Sequence, residues 1–288
     1  METRITLPPF PPVPGLYVAA TPIGNLSDIT LRALSVLAGA DVIACEDTRI
    51  TKRLTGRYGI STPLLAYHDH NALTVRPRLL DRIESGEVVV LVSDAGMPLV
   101  SDPGYKLVTE AVARDLKVTV LPGASSVPTA LAVSGLPTDR FLFAGFLPSR
   151  KAARIKVLRE LQPLGATLIF FEAARRLPQS IADMNAVFGA RPAAVARELT
   201  KKFEEITRGA LNDLAVRYGN DGAPKGEVVV IVGPPEAGDG EGAVNLDGVL
   251  QRLLGNHSLK EAVAAATAET GLPRREVYAR ALQITKPP

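Results

Sequence analysis

The 288-residue sequence has no tryptophan, three methionines and a single cysteine. One thiol, Cys45, excludes an intramolecular disulfide, and no cysteine–histidine cluster has zinc spacing. Long apolar runs are missing too. Val88–Val92 and Val228–Val232 stop after five residues, far short of the roughly 18 that a membrane span needs. Met1 to Pro14 carries Pro8, Pro9, Pro11, Pro12 and Pro14 where a signal peptide would need an apolar helix. These absences predict a soluble protein of a reducing compartment, expected in the cytoplasm and away from membranes. Neither the dinucleotide fingerprint Gly-x-Gly-x-x-Gly nor the phosphate loop Gly-x-x-x-x-Gly-Lys-Ser/Thr occurs between a strand and a helix. That disfavours a nicotinamide-dependent oxidoreductase and a phosphate-cradling nucleotide mode.

What is present is ordinary globular composition, 46% hydrophobic and 22% charged, in a chain long enough for two domains. The net charge of +3 is unevenly spread: Phe141 to Ala210 holds 12 Lys and Arg against 6 Asp and Glu. A basic middle fits either a polyanion partner docking there or a solvated, arginine-rich surface.

Short β-branched runs recur in the first half at Leu16–Ala20, Asp41–Ala44, Val88–Val92 and Val118–Leu121, each leading through a turn cluster toward helix-like sequence. That alternation predicts a parallel sheet covered on both faces. The runs at Phe141–Phe146, Thr167–Phe171, Ala193–Ala196, Glu205–Arg208 and Glu227–Val232 lie closer together, which predicts a mixed sheet. The fold class is therefore α/β. A flexible segment is expected over 1–14, an N-terminal α/β domain over 15–137, a second over 138–233, and a Pro- and Gly-rich linker over 234–244. The tail, 245–288, is expected to form a small helix-turn-helix-like unit in which Ser258 and Glu261 have capping-box spacing.

In an open α/β sheet, ligands bind outside the carboxyl ends of the strands. All four first-half strands end in small, polar or turn-forming residues: Thr21–Ser27, Cys45–Arg49, Ser93–Pro98 and Pro122–Ser126. One rim of this domain is thus the predicted binding site, with glycine amides, Ser125 and Ser126 hydroxyls and the Asp94 carboxylate suited to a small polar ligand.

The same motifs carry a resemblance. Pro22-Ile-Gly-Asn-Leu-Ser-Asp-Ile-Thr30, Cys45-Glu-Asp-Thr-Arg49, Tyr67-His-Asp-His-Asn71, Ser93–Gly104 and Pro122-Gly-Ala-Ser-Ser126 resemble the tetrapyrrole methylase superfamily. More narrowly, they resemble its 16S ribosomal RNA cytidine 2′-O-methyltransferase branch. Gly145–Pro148, Phe171–Arg176, Arg197–Lys201 and Lys225–Glu227 continue the match. Met97 stands where threonine is usual, and Ala173-Ala174 replaces a more typical Ser-Pro. The resemblance implies two α/β domains with a cleft between them. It also implies S-adenosyl-L-methionine as methyl donor, a cytidine ribose in the decoding region of 16S rRNA as acceptor, and a homodimer working on 16S rRNA, either free or in the small ribosomal subunit. By motif position the donor site takes Pro22, Ile23, Asp94, Met97, Ser125 and Ser126 from the first half and Glu172, Ala173, Leu199 and Gly226 from the second.

A ribose hydroxyl is a poor nucleophile and gains from a base or from a cation beside the developing alkoxide. Glu46, Asp47, His68, Glu198 and Lys201 are the candidates. His68 and His70 are too few ligands for a metal site, and none is expected. Arg49, Arg150, Lys151, Arg154 and Arg176 are the candidate RNA contacts. Two rivals stand beside this reading: a methylase of a porphyrin-like precursor on the same fold, and a ligand-sensing DNA-binding regulator.

Overall fold

The computed structural model describes residues 11–101, 104–235, 246–270 and 272–285. Residues 1–10 and most of the expected linker lie outside them. The first sheet contains β1 (Gly15–Ala19), β2 (Val42–Cys45), β3 (Leu64–Ala66), β4 (Val88–Val92) and β5 (Val118–Leu121), all parallel in the order β3-β2-β4-β1-β5. The sequence predicted four strands here. The fifth, β3, is three residues long and follows Pro63, too short to show a period.

Helices α1 (Leu31–Gly39) and α2 (Thr48–Arg57) cover one face of this sheet; α3 (Ala72–Glu84) and α4 (Tyr105–Ala113) cover the other. Alternation along β4 makes this possible. Val88, Val90 and Val92 pack with Leu34, Leu37 and Leu54, while Val89 and Leu91 pack with Leu79, Leu80 and Leu107. A strand buried on both sides reads as the unbroken apolar run seen in the sequence.

Helix α5 (Ser126–Ser134) follows β5 but does not return to the first sheet. Its Val127, Ala130 and Leu131 pack against Ile169, Ala194, Ala196, Val229 and Ile231 of the second. That sheet comprises β6 (Phe141–Phe146), β7 (Thr167–Ala173), β8 (Pro192–Arg197), β9 (Glu205–Ala210) and β10 (Glu227–Val232), in the order β6-β7-β10-β8-β9. Only β6 and β7 run parallel, so the sheet is mixed. Its other face is covered by α6 (Lys151–Leu161), α7 (Leu177–Phe188) and α8 (Leu211–Asp221).

Three further helices, α9 (Leu246–Leu254), α10 (Leu259–Thr270) and α11 (Arg274–Thr285), enclose a small core of their own around Leu250, Val263, Ala266, Val277 and Ala281. The capping box is formed. Ser258 Oγ lies 2.6 Å and its N–H 3.0 Å from Glu261 Oε2.

Candidate active site

The parallel sheet sends the loops after β1, β4 and β5 to one rim, as its topology requires. The β1 and β4 loops are laced together: Thr21 and Gly96 exchange backbone hydrogen bonds at 2.9 and 3.0 Å, and Thr21 Oγ1 donates to Ser93 O at 3.1 Å. Gly96 has φ +85°, and a β-carbon there would press on Ile23 at 3.2 Å, so this crossing needs glycine.

Against this rim lies a cavity of about 420 Å³ whose walls come from both sheets. Of the residues expected to hold a methyl donor, Ile23, Met97, Ser125 and Ser126 line it from the first half. Glu172, Ala173, Leu199 and Gly226 line it from the second. Pro22 and Asp94 sit beside it without lining it, Pro22 buried next to Ile23 and Asp94 next to the lining residue Ala95. Phe146, Phe171, Val228 and Glu227 also line the cavity and were not foreseen. Phe146, Phe171 and Glu227 fall inside motifs already singled out, and Val228 follows the last of them.

Glu172 is fully buried yet satisfied. It accepts from its neighbour's backbone at Ala173 N (2.8 Å), from Arg176 Nε (2.7 Å) and, through a short contact, from Ser180 Oγ. Asp94 Oδ1 accepts from Asp47 N at 3.0 Å, tying the β4 loop to the end of β2. Burial raises the Asp94 carboxyl above its ordinary value, against the hydrogen bond from Asp47 N, which lowers it.

The expected catalytic groups fall into two clusters. In the first, Lys201 Nζ bridges Glu198 Oε1 at 2.9 Å and Glu227 Oε2 at 3.0 Å. Burial pulls the Lys201 ammonium down, but the two carboxylates outweigh it and raise the group above an ordinary lysine. Hydrogen bonds from Glu227 N and Lys201 lower the Glu198 carboxyl. The pair is therefore a fixed cation beside a fixed anion, and neither is poised to take a proton at neutral pH.

In the second cluster, Asp47 caps α2 by accepting from Arg49 N at 2.8 Å, and the Arg49 guanidinium holds it at about 2. Glu46 behaves oppositely: burial and the charges of Asp94 and Asp69 raise its carboxyl. His68 carries a buried Nδ1 with no hydrogen-bond partner. Among the described residues no group of three or more His, Cys, Asp or Glu side chains is placed to hold a metal ion.

Comparison with known proteins shows the family. Residues 15–215 match the model of the tetrapyrrole (corrin/porphyrin) methylases, and 240–285 match the RsmI C-terminal HTH domain. Ribosomal RNA small subunit methyltransferase I of Mesorhizobium japonicum is 49% identical over 99% of this chain and 97% of its own length. The protein of the same name from Pseudomonas aeruginosa is 45% identical over 93% and 96%. The chain belongs to the tetrapyrrole methylase family. Among solved structures, uroporphyrin-III C-methyltransferase from Thermus thermophilus (TM-score 0.55, 21% identity) covers 76% of this chain and 93% of that one. The methyltransferase CobJ (TM-score 0.59, 21% identity) covers 76% and 94%. At such identities the likeness is one of fold.

The expected RNA contacts divide in the same structure. Arg150 and Lys151 are exposed at the start of α6, and Arg49 is 87% exposed beside its partner Asp47. Arg176 is committed to Glu172 and Leu147 O. Arg154 must be withdrawn. It is 5% exposed, with Nη2 2.6 Å from Asp183 Oδ2 and Nη1 on the carbonyls of Pro148 and Ser149, so it builds the scaffold and has no surface to offer a phosphate. No helix among the described residues is long and apolar enough to cross a membrane.

Proposed function

We propose that this protein transfers a methyl group from S-adenosyl-L-methionine to the ribose 2′-hydroxyl of a cytidine in the RNA of the small ribosomal subunit. The observation carrying this reading is the gathering of Ile23, Met97, Ser125, Ser126, Glu172, Ala173, Leu199 and Gly226, drawn from distant motifs, around one cavity. The relatives' name supplies the class of acceptor.

The residues present fit the donor. Ile23, Phe146, Phe171, Leu199 and Val228 offer an apolar wall for adenine and methylene groups. Ser125 and Ser126 offer hydroxyls, and Glu227 offers a carboxylate to a ligand carrying positive charge. Bound there, the donor supplies an electrophilic methyl on sulfur. The chain's own task is to align the ribose oxygen and exclude competing water. Lys201, anchored by two carboxylates, is the cation beside the ribose oxygen as its proton passes to bulk water. Arg49, Arg150 and Lys151 are exposed cations suited to phosphates.

The edge strand β6 exposes Phe141, Leu142 and Phe146. An unpaired apolar edge invites pairing, which supports a homodimer; light scattering across a dilution series checks it. The function is tested with labelled donor offered to unmethylated small subunits, naked 16S rRNA and a porphyrinoid precursor side by side. Label on the RNA, mapped to an alkali-resistant ribose linkage, is expected. Label on the porphyrinoid alone would overturn the reading.

A further inference from the structure

Beside the donor cavity lies a second one of about 460 Å³, and Ser101 lines both. Several polar side chains line it: Glu46 just after β2, Tyr67 and Asp69 after β3, Arg76 on α3, and Tyr105 and Lys106 at the start of α4. Hydrogen-bonding capacity is left unspent here. Arg76 donates Nε to Glu110 Oε2 at 2.7 Å, yet its Nη1 is buried without a partner, as is Nδ1 of His68, which stands between Tyr67 and Asp69 in the chain. Buried donors are rarely left unpaired, because each forfeits its bond to water. Tyr105, by contrast, is 70% exposed at the same cavity.

The wall chemistry limits what fits. The carboxylates of Glu46 and Asp69 balance Arg76 and Lys106, so the cavity has no excess positive charge to draw in a phosphate or a polycarboxylate such as a porphyrin precursor. They favour a ligand edge that donates protons as well as accepting one. We propose that this cavity receives the cytosine ring of the acceptor nucleotide, with Glu46, Asp69 and Arg76 reading its Watson–Crick edge. The inference rests on the function proposed above and adds to it the residues that choose the base.

Cytosine presents an N4 amino donor next to the N3 and O2 acceptors. The carboxylates of Glu46 and Asp69 accept from N4, and Arg76 Nη1 donates to O2. Uracil would turn its O4 carbonyl toward those carboxylate oxygens and be rejected. The open face of Tyr105 offers a stacking platform for a base turned out of its own stack. Glu110 is a positioning residue that fixes Arg76 through Nε and leaves Nη1 for the ligand.

The test compares kcat/KM on small subunits whose mapped acceptor is cytidine or uridine, with S-adenosylhomocysteine affinity measured calorimetrically on each variant. Wild type is expected to favour cytidine by roughly tenfold or more. Arg76→Met should lower kcat/KM on cytidine by about ten- to a hundredfold with affinity for S-adenosylhomocysteine unchanged. Glu46→Gln and Asp69→Asn should narrow the cytidine preference; Asp69 is exposed, so its substitution leaves the fold intact even if Arg76→Met does not. If all three variants kept the wild-type rate and preference, base reading would lie elsewhere and this inference alone would fall. If wild type methylated no small subunit at all, the proposed function would fall and take the inference with it.

Discussion

A β-carbon on Gly226 would stand 2.5 Å from the carboxyl group of Glu198. The glycine also has φ +100°, a backbone region that side chains resist. Glu198 itself has φ +51° and accepts from the Glu227 N–H at 3.0 Å, so this corner of the donor cavity is tightly folded. Gly226→Ala is expected to cost about 1–3 kcal/mol of stability and to weaken S-adenosylhomocysteine binding. Calorimetry and urea unfolding on the same preparation check both.

Lys201→Met should leave donor affinity near wild type while lowering the methylation rate about 10²- to 10³-fold, the usual loss when one stabiliser of a developing oxyanion is removed. Single-turnover transfer to small subunits reads this directly. A normal rate would reduce Lys201 to a tie between Glu198 and Glu227.

Asp94→Ala severs the bond from Asp47 N and should lose donor binding through displacement of the β4 loop. If S-adenosylhomocysteine affinity were retained, the Asp94 carboxylate would have no part in the donor site.

Arg154 and Asp183 are buried together. Arg154→Met leaves the buried Asp183 carboxylate with only the exposed Lys151 at 3.7 Å and is expected to destabilise the fold by about 3–5 kcal/mol, whereas Arg154→Met with Asp183→Leu should recover much of the loss. RNA affinity of the refolded double variant should be near wild type, because neither side chain reaches solvent.

Asp47 gives a pH signature. Its folded pKa is lowered from 3.8 to about 2 by Arg49, so at pH between those values the unfolded chain binds more protons than the folded one. Its contribution is present above pH 3.8 and lost as pH falls toward 2. Asp47→Asn should flatten the stability profile in that window, measured by urea unfolding at successive pH values.

Much of the site was legible because a parallel sheet delivers its ligand loops to one rim. Once β1, β4 and β5 were recognisable, the loops carrying Ile23, Met97 and Ser125 followed. Arg154 was misread because its neighbours Arg150, Lys151 and Lys156 are exposed, and its partner lies 29 residues away. A local clue existed: it stands four residues before the buried Leu158, on the same helix face. The second cavity was invisible, since Arg76 and Tyr105 come from different helices and meet Glu46 only through the fold.

The docking of α5 on the second sheet bears on how the donor comes and goes. A hinge motion parting the two sheets, with α5 staying on the second, would strip water-excluded surface from Ile23 and Leu199, at roughly 25 cal/mol for each Å² exposed. Ile23 and Leu199 also line the donor cavity, so the contact that joins the two halves and the wall that meets the donor share the same side chains.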